Sequence, residues 1–265
     1  MSESKRINGN KTAAEKLIVQ PATTLVIIAQ ENYILLPQTK EHPDLLIAKN
    51  RLAYDSEVEK AGKKLGLSLQ DNNQGYIGYI DWNKSHNLLK ELDSFMLNPK
   101  LFTEFLKLLK SGNAFNGNKK QVNSNELETI LNEIIEVRNP WRAEWLDNKY
   151  FKQGGILGFG SKLSVTYHKF DSSGKLVQVT EDLDPDTLME TKTWGISLDD
   201  WINNPNSQGL PKSNVKDGSL YYLKPIEGKA ARFDAVAAWA HLDYVGVPDY
   251  SYAVLGVRGA KIFKK

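Results

Sequence analysis

The sequence predicts an α+β chain: a helix-rich N-terminal region with a short β-hairpin, followed by a β-rich C-terminal half. Two observations carry this. Apolar residues recur at helical spacing between residues 88 and 109: Leu88, Leu89, Leu92, Phe95 and Met96, then Leu101, Phe102, Phe105, Leu106 and Leu109. Beyond residue 139 the period shortens to two, over residues 163–170, 175–180 and again from 230 onward.

Taken in order, residues 1–20 are polar and read as a mobile arm. Residues 24–30 and 33–36 are β-rich runs separated by Glu31 and Asn32, which predicts the hairpin. Charged helical sequence follows over residues 44–64. The run GYIGYIDW (residues 75–82) alternates glycine with aromatic and β-branched residues, placing a strand or tight turn there. It reads as hairpin core, with a small-ligand platform as the alternative. Asn98 caps the next helix, Pro99 stands in its first turn, and Gly112 follows its end. Residues 111–125 read SGNAFNGNKKQVNSN; five Asn and two Gly disfavour helix and strand alike. This marks a linker or exposed loop between an N-terminal α+β region (21–125) and a C-terminal domain (126–265). Asn125, with Glu128 three residues on, caps a helix over residues 126–137. The turn DSSG (171–174) joins two alternating strands into a hairpin. Residues 194–201 read as a strand end entering a short helix capped by Ser197. Residues 203–219 form an irregular loop, and residues 220–223 a strand.

Of the 265 residues, 41% are hydrophobic, enough for a substantial core, and the formal net charge is +2. A balance so near neutrality gives no electrostatic footprint for nucleic acid or an anionic membrane. The absence of cysteine excludes disulfides, thiolate metal sites and a cysteine nucleophile. The longest early apolar run, residues 25–29, is too short for a signal peptide or a membrane span. No membrane insertion and a cytoplasmic or virion-associated location are therefore expected.

Residues 230–263 read AARFDAVAAWAHLDYVGVPDYSYAVLGVRGAKIF. Ala231, Phe233, Ala235 and Ala237 fall on one side of an extended chain. After Ala238 and Trp239 the phase slips by one, which reads as a bulge, and Ala240, Leu242 and Tyr244 continue the small apolar series. The opposite face holds Arg232, Asp234, Val236, Ala238, His241, Asp243 and Val245. It mixes both charge signs with bare aliphatics, whereas a solvated strand face is polar and a buried one apolar. Gly246, Val247, Asp249, Tyr250, Tyr252, Ala253 and Val254 are equally unpatterned around Pro248, Ser251 and residues 255–258. An irregular β-region of accidental composition is the plain alternative.

This frame of small residues with Pro248, Ser251 and Leu-Gly-Val-Arg at 255–258 resembles the variable region of diversity-generating-retroelement variable proteins, closest to archaeal and small-genome bacterial members and their viruses. The segment NPWRAEWLD (139–147) is similar to the opening of their ligand-binding domain. The resemblance implies a C-type-lectin-like, formylglycine-generating-enzyme-like fold for the C-terminal domain and a variable region over about 230–258. It implies that a reverse transcriptase randomises selected Asn-type codons there while the frame stays constant. Arg, Asp, Val, Ala, His, Gly and Tyr are reachable from such codons. Trp is not, so Trp239 either belongs to the frame or has a different template codon. The implied function is non-enzymatic binding of a protein or glycan ligand, in host attachment or cell recognition. The ligand-contact positions would be Arg232, Asp234, Val236, Ala238, His241, Asp243, Val245, Gly246, Val247, Asp249, Tyr250, Tyr252, Ala253 and Val254. Tyr250 and Tyr252, with Tyr244 if it points outward, would be the strongest contacts, since a Tyr ring gives area at small entropic cost. For Tyr244 framework packing is the alternative, and Arg258 reads as a structural hydrogen-bond former. A lectin-fold enzyme or hydrolase with an unrecognised active site is the competing class.

Other chemistries find little support. Asp182, Asp184 and Asp186, with Asp199 and Asp200, lack a complete calcium-loop pattern and read as solvated acidic turns. His42, His86, His168 and His241 show no ligand spacing, so no metal or other cofactor is expected. No Gly-x-Ser-x-Gly motif supports a catalytic triad. The glycine run GILGFG (155–160) precedes strand-like rather than helical sequence, which argues against a phosphate loop.

Overall fold

The computed structural model describes residues 30–152 and 162–264. The expected arm, all but the last residue of the first β-rich run (24–30) and the glycine run at 155–160 lie outside the described residues.

The chain is α+β. In order it forms β1 (Tyr33–Leu36), β2 (Leu45–Ala48), α1 (Ser56–Lys64), β3 (Gln70–Asp71), β4 (Ile77–Gly78), α2 (Trp82–Glu91), β5 (Phe95–Met96), α3 (Pro99–Lys110), β6 (Phe115–Asn116) and α4 (Ser124–Ile135). Then follow β7 (Arg142–Lys152), β8 (Leu163–Phe170), β9 (Leu176–Asp182), β10 (Lys192–Ile196), α5 (Leu198–Asn203), β11 (Leu220–Leu223), β12 (Ala230–Ala235), β13 (Ala240–Gly246), β14 (Leu255–Val257) and β15 (Gly259–Ile262). Among the described residues no helix is long and apolar enough to cross a membrane.

Local capping chemistry sets most helix starts. Asn98 accepts from the Leu101 amide, with Pro99 in the first turn. Ser197 accepts from the Asp200 amide, and Asp81 from that of Lys84. The fourth helix begins two residues before its expected start, capped by Asn123 rather than Asn125. The helix expected over residues 44–64 is only α1, capped by Asp55. Its first part is β2, because the apolar run Leu45, Leu46 and Ile47 is buried against β1, pairing Ile34 with Ile47. Tyr33–Leu36 thus has its antiparallel partner downstream. Phe95 and Met96 likewise leave the helical series for β5, after α2 ends at Glu91 with Leu92 as its C-cap.

Two sheets organise the molecule. One has the order β5-β15-β2-β1-β6, and the other β10-β11-β13-β12-β7-β8-β9, with β14 added parallel to β7. The C-terminal strand β15 is therefore inserted between β2 and β5, inside the sheet built by the N-terminal region. Ile34, Ile47, Phe102 and Phe105 share one core with Phe233, Tyr222, Tyr244 and Trp201. A boundary at residue 125 does not divide this core. Nor is the Asn-rich stretch at 111–125 a linker. Phe115–Asn116 pairs with β1, Val122 is buried, and the Asn116 side chain accepts from the Asn118 and Lys120 amides to close a tight turn.

The phase slip near Trp239 is a chain reversal rather than a bulge. The β12 and β13 strands are antiparallel, Ala235 opposes Ala240, and the Val236 amide donates to the Trp239 carbonyl at 3.1 Å. The register irregularity lies instead between Ala230 and Arg232. Ala237 consequently sits exposed in the turn rather than in the core series.

A buried charge group ties the halves together. Glu144 is fully buried between Arg258 (Nε to Oε2 3.0 Å) and Arg142 (Nη2 to Oε1 3.3 Å). Arg258 also donates to the carbonyls of Ala48 and Lys49 at 2.8 and 2.5 Å, the structural role its position implied. Burial alone would raise the Glu144 carboxyl, but the charges of Arg258, Arg142 and Arg51 hold it below the ordinary carboxylate range.

Candidate functional site

The two antiparallel strands β12 and β13 place four polar residues on one face as cross-strand pairs. Arg232 opposes Asp243, and Asp234 opposes His241. Side chains of the alternate residues, Ala231, Phe233, Ala235, Leu242 and Tyr244, are almost wholly buried on the other side. The predicted division into two faces is therefore present in the strands.

The outer face is an open depression lined by Arg138, Asn139, Trp141, Arg232, Asp234, Val236, Ala237 and His241. Its polar groups are largely engaged with each other. Arg232 donates through Nε and Nη2 to Asp243 Oδ2 at 2.8 and 2.6 Å, and its Nε lies 3.2 Å from Asp234 Oδ2. Asp234 Oδ1 is buried without a hydrogen-bond partner. Burial pushes the Asp234 carboxyl up to about 7, opposed by the Arg232 charge and reinforced by Asp243. Burial lowers the His241 imidazole, so a neutral ring faces the depression, with Nε2 unpartnered.

Beyond β13 the chain crosses residues 247–254 in an irregular loop that is fixed through its backbone. The carbonyl of Pro248 accepts from the Trp82 amide at 2.9 Å, and that of Tyr252 from the Tyr79 amide at 2.8 Å. The Val254 carbonyl accepts from the Ala143 amide at 3.0 Å and from Arg51 Nη1 at 2.7 Å. Their partners belong to residues 75–82, the start of β7 and Arg51. The segment at 75–82 is pinned in turn by Trp82 Nε1, which donates to the Leu146 carbonyl, while Trp145 Nε1 donates back to that of Ile80. Ile77, Ile80 and Trp82 are buried as the core reading of this run implied, but only Ile77–Gly78 is paired in a hairpin, Trp82 opens α2 and Tyr79 is exposed.

Side chains on that loop point outward where it matters. Asp249 is exposed; Tyr250 and Tyr252 are 53% and 42% exposed, their rings edge to face at 6.0 Å. Tyr252 also lies 6.0 Å from Trp141, joining the loop to the depression. Val247, Ala253 and Val254 are half-buried, as are Val236, His241 and Val245, and Ala238 is exposed in the hairpin turn.

Several expected contact positions are not available to a ligand. Asp243 is buried beneath Arg232 and accepts from the Val245 amide. Gly246 is buried, and a Cβ there would meet the Ala230 carbonyl oxygen at 2.8 Å and Trp145 at 2.9 Å. Asp234 is buried in the floor rather than displayed. Arg232 is half-buried and committed to its two carboxylates. Tyr244 is fully buried, packed edge to face against Tyr150 and Tyr222, so it belongs to the framework. Conversely Ser251, read as framework, is exposed.

An aromatic surface escaped the alternation argument. Trp239 is 48% exposed at the hairpin tip and stacks on Tyr221, which in turn contacts His241. Trp239 and Tyr221, with Trp194, 60% exposed, line a groove that continues past Ala238 along Val137. The mismatch of Trp239 with the codon pattern was its only trace in sequence.

The acidic turns use their carboxylates locally: Asp184 accepts from Asp186 and Ser207, and Asp186 from Ser213. The histidines are less scattered than their spacing implied, for His86 and His168 both converge on Asp147. No family model, no curated protein and no solved structure matches this chain.

Proposed function

We propose that this protein is a non-enzymatic binder. In this reading a C-type-lectin-like scaffold displays a C-terminal surface that a retroelement diversifies to recognise protein or glycan ligands. The observation that supports it best is how residues 247–254 are held. Their anchors are main-chain carbonyls of Pro248, Tyr252 and Val254, each receiving a donor from elsewhere in the fold. Such bonds are indifferent to which side chains the segment carries, so Asp249, Tyr250 and Tyr252 are free to change without unmaking the loop.

The displayed surface then comprises the Tyr250–Tyr252–Trp141 cluster, the depression beside Val236 and His241, and the Trp239–Tyr221 stack. It is aromatic at both ends with a polar centre, which suits contacts of large area and directional hydrogen bonding. The half-buried Arg232, its buried partner Asp243 and Gly246 support this surface and are its fixed part.

Replacing Ala238, His241, Asp249, Tyr250 and Tyr252 together tests the reading. The multiple variant keeps the thermal unfolding midpoint of the parent and exchanges its ligand in a display selection. Unfolding of the variant overturns the division between scaffold and surface. The retroelement component has its own test in the encoding DNA: a neighbouring repeat differing from codons 230–258 almost only at adenines, beside a reverse-transcriptase reading frame. Absence of both leaves a binder of fixed sequence.

A further inference from the structure

Away from the display face, three elements bring together a donor set that the binding reading does not use. His86 from α2, Asp147 from β7 and His168 from β8 offer ligand atoms that all lie within 4.8 Å of one another. His86 Nε2 is 3.1 Å from Asp147 Oδ1, and His168 Nδ1 is 2.9 Å from Asp147 Oδ2. We propose that His86, Asp147 and His168 form a binding site for a divalent transition-metal ion of the zinc class, with a fourth coordination position open to solvent.

Asp147 is wholly buried, and its Oδ1 has no hydrogen-bond partner; nor has His86 Nε2, although the two atoms are close. Two buried polar atoms at that separation without an aligned hydrogen bond lack the stabilisation that burial demands. A cation between them satisfies both. Ligands on a tetrahedral ion at about 2.0–2.1 Å stand roughly 3.3 Å apart. Each imidazole already lies 3.1 or 2.9 Å from an oxygen of the carboxylate, and the three ligand atoms, within 4.8 Å of one another, close on the ion by small side-chain shifts. Two imidazoles and one carboxylate match the three-ligand zinc pattern that leaves a position free.

The surroundings hold this geometry in place. The His168 amide donates to Asp147 Oδ2 at 2.7 Å, fixing the carboxylate against β8, and Asn98 Nδ2 donates to the His168 carbonyl at 2.8 Å. The His86 ring rests edge-on against Trp82, centroids 4.3 Å apart. Outer contacts of this kind orient metal ligands. Both histidines are half-buried and line a cavity with Asn87, Lys90, Phe95 and Gln178, while Asp147 is wholly buried behind them, in contact with both rings. The open position therefore faces that cavity, where water or an anionic ligand group completes the shell. On metal entry each imidazole coordinates through the nitrogen that now faces the carboxylate. A neutral ring shifts its proton to the other nitrogen, and an imidazolium releases one to solvent.

The test is titration of the full chain with zinc and with cobalt(II) under chelator buffering. One ion binds per chain, and cobalt(II) gives the intense visible absorption of a four-coordinate N/O site. His86→Gln and His168→Gln, both at half-exposed positions, each raise the Kd by about 100-fold or more and abolish the cobalt spectrum. Failure of the parent protein to take up an equimolar ion, or unchanged affinity in both variants, overturns the proposal. If the variants do not fold, imidazole NMR of the parent decides. Zinc must shift the ring signals of His86 and His168 and leave those of His42 and His241; any other pattern refutes the site.

Discussion

Gly78 and Ala253 approach so closely that a Cβ on Gly78 would lie 2.1 Å from the Ala253 carbonyl oxygen and 2.8 Å from its carbonyl carbon. The 247–254 loop thus lies directly on the backbone of the 75–82 segment, in contact that only glycine permits. Gly78→Ala forces the two backbones apart and is expected to destabilise the fold by about 1–3 kcal/mol, measured by denaturant unfolding. Tyr250→Ala and Tyr252→Ala, whose side chains are exposed, change stability by less than about 0.5 kcal/mol. Equal losses in all three variants would show that the loop is held by its side chains.

Asp234 gives the protein a pH dependence of definite sign. Its folded carboxyl stands at about 7, above the ordinary 3.8, because burial, with the Asp243 charge, disfavours the anion more than Arg232 and Arg142 restore it. Between those values the folded chain holds a proton that the unfolded chain has released, so stability falls as pH rises across that window. Asp234→Asn removes the titration. Its unfolding midpoint should vary less with pH than the parent's from 3.8 to about 7. Parallel profiles for the two proteins would mean that the carboxyl titrates normally.

How much of this was legible in the sequence depends on range. The caps at Asn98 and Ser197 and the turn at residues 171–174 are local chemistry, and the structure places them where the residues implied. The inward series Ala231, Phe233, Leu242 and Tyr244 was legible because strand alternation is also local. The reversal at residues 236–239 was not, since Val-Ala-Ala-Trp contains none of the Gly, Asn or Asp that normally announce a turn, and a phase slip alone resembles a bulge. Alternation placed Asp243 on the outer face correctly, but nothing local shows that Arg232 covers it. The insertion of β15 between β2 and β5, and the meeting of His86 and His168 at Asp147, join residues far apart in the chain. Periodicity carries no information about either.

His42 supplies a second titration, in a different window. Its Nδ1 lies 2.7 Å from the Pro43 carbonyl and its Nε2 2.8 Å from Glu104 Oε2. Both neighbours are acceptors, so only the imidazolium donates to each. Burial works against the charge, but the Glu104 and Pro43 hydrogen bonds, with the charges of Glu104 and Glu41, raise the imidazole above its ordinary 6.5. The stability this contributes is complete below 6.5 and is lost as pH rises through the raised folded value. His42→Gln should therefore lose most relative to the parent in acid and least in alkali, as read from unfolding midpoints across pH. A constant difference at all pH values would assign His42 a packing role only.

The Glu144 group makes the strongest prediction about the union of the two halves. Glu144 pairs with Arg258, whose guanidinium also reaches the β2 carbonyl of Ala48 and the neighbouring Lys49 carbonyl. Removing the carboxylate charge leaves Arg142 and Arg258 buried together without a counter-ion, and breaking such a pair costs about 3–5 kcal/mol. Glu144→Gln keeps the volume and one acceptor oxygen but turns the other into an amide donor facing a guanidinium, so its loss reports the charge and its hydrogen bonding rather than volume. Because β14 lies on β7 and β15 lies in the N-terminal sheet, with Arg258 between them, the effect should reach both regions. In hydrogen exchange, amides of β2 and β15 should lose protection together with those of β7. Loss confined to β7 would mean that the N-terminal sheet is stable without this ionic link, and that its sharing of β15 is held by strand pairing and apolar packing.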